Sequence, residues 1–180
     1  MTLAYLSLGS NVCDRAAQLR EAAARLSAAG RVLSASSVYE TEPVEFTAQP
    51  WFLNCVVTLA TDQTPPQLMA TILGIEKEMG RRRVQKKGPR SIDIDILLFG
   101  DAIVDSEELT IPHPAMHERR FVLEPLAEIA SEALHPVLKK AIRELREALP
   151  EGQTVRKIPR SEMANAERLT TALRNRTRAR

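Results

Sequence analysis

Residues 92–99 set two aspartates into an apolar run, Ile92, Asp93, Ile94, Asp95, Ile96, Leu97, Leu98 and Phe99, and this stretch limits what the chain can fold into more than any other. Its alternation of period two predicts a strand, because residues i and i+2 of a strand leave on the same face. The isoleucines then pack on one side while Asp93 and Asp95 share the other, with Cα atoms about 6.5 Å apart. Leu97, Leu98 and Phe99 prolong the run without a polar break, which predicts a strand near the sheet centre rather than at a wet edge.

Taken alone, Asp-x-Asp is the ordinary pattern of a half-buried strand with its acids in solvent. The neighbouring residues favour a second reading, because two carboxylates at the end of a buried strand are unfavourable unless cations offset them. Immediately upstream stand Arg81, Arg82, Arg83, Lys86, Lys87 and Arg90. Between them, Gly88 and Pro89 suit a tight turn that brings Arg90 back toward the acids. A carboxylate pair able to hold a hard cation, next to a cationic segment, points to an anionic substrate carrying its own Mg²⁺.

The elements around this strand alternate. Residues 3–8 read as a strand ending at Gly9, Ser10 and Asn11, and Asp14 can cap an Ala-rich helix over 15–29 closed by Gly30. Residues 32–40 read as a second strand and residues 52–59 as a third. A helix led in by Pro65 and Pro66 ends near Met79 and Gly80, ahead of the Asp-bearing strand. The order βαββαβ predicts an α+β, ferredoxin-like sandwich with an antiparallel sheet and helices on one face. A short hairpin near 102–109 and added C-terminal helices near 121–130 and 136–149 complete the expected domain, residues 1–150.

The remainder, residues 151–180, is expected to be a basic extension, partly helical or disordered. Residues 152–180 hold eight basic and two acidic side chains, a charge of +6 within a formal total of +2, so the body is mildly acidic. The extension lacks interleaved aromatics and a nucleic-acid module, and is expected to be dispensable for catalysis. With 180 residues and 44% hydrophobic content the chain suits one domain with a real core. No apolar run of about 18 residues is present, and residues 1–8 lack a basic leader pattern, which argues against membrane spanning and secretion. Cys13 and Cys55 have no metal or disulfide spacing, as expected of free thiols in a cytoplasmic protein. The absence of an extra apolar stripe suggests a monomer.

No G-x-x-x-x-G-K-[ST] loop occurs, and Gly9-Ser10-Asn11 is too short to cradle a phosphate. Side-chain cations and metal would therefore have to hold any phosphates. Phosphoryl transfer asks for that arrangement: in-line positioning, Mg²⁺ bridging phosphate oxygens, and guanidinium groups at the developing charge. A two-metal nuclease would normally need further acids nearby, and a nucleic-acid module would not centre two aspartates in its basic patch.

The run from Lys86 to Leu97, with Gly88-Pro89-Arg90 followed by Asp93 and Asp95, resembles the 6-hydroxymethyl-7,8-dihydropterin pyrophosphokinase family. Gly9-Ser10-Asn11, Tyr39-Glu40-Thr41, Phe52-Leu53-Asn54, Leu109 to His113 and Arg119-Arg120-Phe121 fall in that family's order, so the resemblance spans about residues 1–149. It implies transfer of pyrophosphate from ATP to the hydroxymethyl group of a reduced pterin. Asp93 and Asp95 would bind two Mg²⁺ ions, and Arg81, Arg83 and Arg90 would be phosphate-side cations, with Arg83 on a closing loop. Glu76, Ile96, Thr110, His113 and Arg119 would join Arg83 and Arg90 around the nucleotide. The pterin would lie between Phe52 and Phe121, with Asn54 on its polar edge and Thr41, Pro43 and Val44 on its loop side. Neither nucleic acid nor a membrane is implied as a partner. Lys87 stands where many members carry Trp, and Glu42 where some carry proline.

Overall fold

The computed structural model describes residues 1–44, 47–81, 88–159 and 161–162. Among these residues the named elements follow in the order β1 (Thr2–Ser10), α1 (Arg15–Arg25), β2 (Arg31–Ala35), β3 (Tyr39–Thr41), β4 (Phe52–Thr61), α2 (Pro65–Glu78), β5 (Asp93–Phe99), β6 (Val104–Asp105), β7 (Thr110–Ile111), α3 (Arg120–Ala130), α4 (Ile142–Glu147) and β8 (Val155–Lys157). The main sheet runs β5-β1-β4-β3-β8, β2 also pairs with β4, and every pairing is antiparallel. This is the expected α+β sandwich.

Local chemistry accounts for the helices. Asp14 accepts the Ala17 N–H at 3.0 Å and starts α1, which buries Ala16, Leu19 and Ala22. Pro65 opens α2 while the Gln67 side chain accepts the Thr64 N–H at 2.8 Å. Leu68, Ile72 and Ile75 of α2 join Leu6, Leu8, Val57, Leu59, Ile94 and Ile96 in one core.

Several expectations are corrected. Helices cover both faces of the sheet, because α3 and α4 pack Val122, Leu123, Leu126, Ile142 and Leu145 against Val56, Leu97 and Leu98 on the face opposite α1 and α2. Strand β5 is an edge strand, and its apolar run reflects cover on both faces rather than a central position. The edge is sealed by side chain and loop: the Glu76 carboxylate accepts the Ile94 N–H at 2.8 Å, and the His113 N–H donates to the Leu97 carbonyl at 3.0 Å.

The expected strand over 32–40 is two strands. Ser36 breaks it, because its hydroxyl takes the Val56 N–H at 2.9 Å in place of a backbone acceptor. The first helix tightens into a 3₁₀ turn over Leu26–Ala28. The helix expected over 136–149 spans only Ile142–Glu147, since Lys139 adopts φ 56° and His135 Nδ1 accepts the N–H groups of Val137 and Leu138. Beyond residue 150 the chain adds a strand absent from the sequence-based expectation, with β8 pairing Thr41 to Val155 and Tyr39 to Lys157.

Candidate active site

Strand register assembles the site at one end of the sheet, on the α3 face. Gly9 of β1 lies directly opposite Asn54 of β4 on one side and Asp93 of β5 on the other. Opposed residues share a face, so Asp93, Gly9 and Asn54 form one row across three strands, with Asp95 opposite Ser7 in the next. The row requires glycine: a Cβ on Gly9 would stand 2.7 Å from Asn54 Oδ1 and 3.8 Å from the Phe52 ring.

Asp93 is met by two guanidinium groups. Arg81 reaches Asp93 Oδ1 at 2.6 Å and also pairs with Glu76, while Arg90 pairs with Asp93 Oδ2. Burial raises the Glu76 carboxyl above its ordinary range, and Arg81 opposes that rise. Asp95 is half-buried, and desolvation with the adjacent Asp93 charge pushes it up to about 7, against the pull of Arg119 and Arg90. Asp95 stays unfavourably charged even so, and its oxygens beside those of Asp93 suit a hard cation such as Mg²⁺. Among the described residues no group of three or more His, Cys, Asp or Glu could hold a metal. A cation here would therefore complete its shell with substrate oxygens and water.

Arg90 is anchored by its backbone as well. Asn11, only 2% exposed, accepts the Arg90 N–H at 2.8 Å through Oδ1 and donates its own N–H to the Arg90 carbonyl at 3.2 Å. Asn11 Nδ2 donates to Gln49 Oε1 and to the Pro50 carbonyl, each at 3.0 Å, so one side chain joins the cationic segment to the loop before β4. The Arg90 guanidinium stands 5.8 Å from the Phe52 ring centre, and Arg119 stands 5.7 Å from that of Phe121. Asn54 Nδ2 donates to Thr41 Oγ1 at 2.7 Å, inside the sheet.

His113 follows β7 and is half-buried. Burial and the Arg119 charge hold it down to about 4, so the ring is neutral near pH 7. Its Nδ1 accepts the Ala115 N–H at 3.2 Å, which assigns the ring proton to Nε2 and leaves a donor there.

The structure thus brings Arg81, Arg90, Asp93, Asp95, Thr41, Phe52 and Asn54 into one region of the sheet end. The Ile96 side chain is 2% exposed in the core on the face away from the aspartates. Glu76 is 3% exposed and faces Arg81 and the Ile94 amide rather than an opening. Thr110 is exposed on β7, Pro43 is buried and Val44 exposed beyond β3. Arg83, Lys86 and Lys87 lie outside the described residues. The sequence marks Gly9 and Asn11 only as part of a strand-end motif and gives them no site role, because their roles depend on strands and loops that meet only in the fold.

Fold and site together define an α+β, ferredoxin-like domain with a cation-ringed carboxylate pair at its sheet end. The sequence matches the family described as 7,8-dihydro-6-hydroxymethylpterin-pyrophosphokinase over residues 5–131. The chain belongs to that family. The 2-amino-4-hydroxy-6-hydroxymethyldihydropteridine pyrophosphokinase of Bacillus subtilis is 47% identical over 132 residues, covering 72% of this chain and 79% of the relative. The folic acid synthesis protein fol1 of Schizosaccharomyces pombe is 43% identical over 150 residues, covering 82% of this chain but 20% of the relative. This chain therefore spans about a fifth of that longer protein. The wild-type HPPK-DHPS structure of Plasmodium falciparum superposes with a TM-score of 0.64 over 81% of this chain and 44% of the other, and at 19% identity that likeness carries the fold alone.

Proposed function

We propose that the chain transfers the pyrophosphoryl group of ATP to 6-hydroxymethyl-7,8-dihydropterin, a step of folate biosynthesis, and releases AMP. The observation that carries this reading is the row Asp93, Gly9, Asn54, which sets the carboxylate pair beside the Phe52 ring and a polar amide. In the transfer, the hydroxymethyl oxygen bonds to the β-phosphorus while the bond from that phosphorus to the oxygen shared with the α-phosphate breaks. AMP leaves with that oxygen, and the hydroxyl proton passes to solvent.

Asp93 and Asp95 would hold two Mg²⁺ ions, which when bound neutralise phosphate charge and acidify the attacking hydroxyl. Arg81 and Arg90 would exchange Asp93 for phosphate oxygens, and Arg83 would add a third cation. His113 would donate from Nε2, beside Arg119 and the Thr110 hydroxyl, to the nucleotide. Ile96 could meet the nucleotide only through its backbone, and Glu76 would act through Arg81. The pterin would lie between Phe52 and Phe121, since a flat heteroaromatic ring gains from phenyl faces. Asn54, fixed by Thr41, would read its polar edge, and Pro43 and Val44 would contribute the loop side.

Among the described residues no helix is long and apolar enough to cross a membrane. Cys13 and Cys55 are both free thiols, which supports a cytoplasmic setting, and we take the working unit to be a monomer. Incubation with Mg-ATP and the reduced pterin tests the proposal: AMP should form in step with the pterin diphosphate. ADP as product, or hydrolysis indifferent to pterin, would overturn it.

A further inference from the structure

We infer that Gln153, beyond the matched family region, is a positioning residue that fixes two walls of the pterin slot to each other. The inference rests on the proposed placement of the pterin against Phe121. Gln153 Oε1 accepts the Phe121 N–H at 3.2 Å, and its Nε2 donates to the Glu42 carbonyl at 3.3 Å. Phe121 lies in the first turn of α3, where backbone N–H groups have no intrahelical acceptor, and Arg119 gives α3 no side-chain cap. Glu42 immediately precedes Pro43 and Val44. One half-buried amide therefore spans from the ring wall to the loop wall.

The amide is itself held by strand register. Thr154 N–H donates to Glu42 Oε1 at 2.8 Å, and Glu42 N–H donates to the Thr154 carbonyl at 3.3 Å. Strand β8 continues that pairing, with Val155, Arg156 and Lys157 opposite Thr41, Glu40 and Tyr39. Arg156 reaches Glu40 at 3.0 Å, and Lys157 reaches Glu128 of α3 at 3.2 Å, so the segment grips β3 and α3 at once. Glu42 fits this arrangement where proline would not, because proline has neither the N–H that Thr154 accepts nor a carboxylate for the Thr154 N–H. An amide at 153 accepts from Phe121 and donates to Glu42 together, whereas a carboxylate retains the first bond and an apolar side chain retains neither. On this account residues 153–157 are part of the pterin side of the site, and the extension is not dispensable there.

Steady-state kinetics of the full chain with both substrates varied test the inference. Gln153→Ala should raise KM for the pterin about tenfold, with KM for ATP and kcat within about twofold of wild type, the pattern of lost binding shared by ground and transition states. Gln153→Glu should recover part of that loss, and Gln153→Met should not. Glu42→Ala, which keeps the backbone bonds to Thr154 and Gln153, should raise the pterin KM by a smaller factor and serves if the alanine variant at 153 fails to fold. An unchanged pterin KM in these variants, or an equal rise in both KM values, would overturn the inference while leaving the reaction in place. Wild-type protein without pterin-dependent AMP formation would instead remove the reading on which it rests.

Discussion

Asn11 and Arg90, seventy-nine positions apart, exchange two bonds: the Asn11 side chain accepts the Arg90 N–H at 2.8 Å, and the Asn11 N–H donates to the Arg90 carbonyl at 3.2 Å. The pair fixes the end of the cationic segment against β1, so Arg90 meets Asp93 from an anchored backbone. Asn11→Ala removes one side-chain acceptor and two donors and leaves the half-buried Arg90 N–H without its partner. Stability should fall by about 1–3 kcal/mol, read from urea midpoints. Turnover per KM should fall about tenfold or more, because Arg90, the proposed phosphate-side cation, loses its position. A variant with wild-type kinetics would show that this tether does not matter to Arg90.

Arg81 should matter to stability as well as to phosphate binding. It shares its guanidinium between Asp93 and the nearly buried Glu76, whose side chain is 4% exposed. Arg81→Ala strands the Glu76 charge and should lower stability by about 3–5 kcal/mol. Adding Glu76→Gln should restore part of that loss, since the uncharged amide removes the buried charge. Denaturation of the single and double variants checks this, and equal stabilities would contradict it.

His113 gives the stability a pH dependence of known sign. Its folded value is held down to about 4, below the usual 6.5, so between those values the unfolded chain binds the proton that the folded protein excludes. The His113 contribution to stability should therefore be present in full above about pH 6.5 and be lost as pH falls toward 4. His113→Asn should flatten that slope, measured as the difference between urea midpoints of variant and wild type across pH 4–7. An unchanged slope would show that the ring is not excluding the proton.

Periodicity carries the alternating core and the aspartate face because a strand's period is local, and Asp93 with Asp95 follows from that alone. Centrality does not follow: Leu97 and Leu98 are buried because α3 and α4 cover the second face of an edge strand, which no local pattern encodes. Ile96 shows the converse, since the alternation that exposes the aspartates turns its side chain into the core. Gly9 and Asn11 look weak in sequence, yet one is the gap beside Asn54 and the other the anchor of Arg90. Strand β8 escapes notice because it spans three residues in a basic stretch and exists through its pairing with β3.

Product analysis of Asp95→Asn beside wild type, across a Mg²⁺ series, tests the carboxylate pair most directly. Wild type should form AMP and pterin diphosphate with a rate that depends on Mg²⁺, and the variant should lose about a hundredfold or more in rate because the pair would no longer present two carboxylates to the proposed cation. AMP formation by Asp95→Asn at a near-normal rate and with the same Mg²⁺ dependence would contradict the role of that pair.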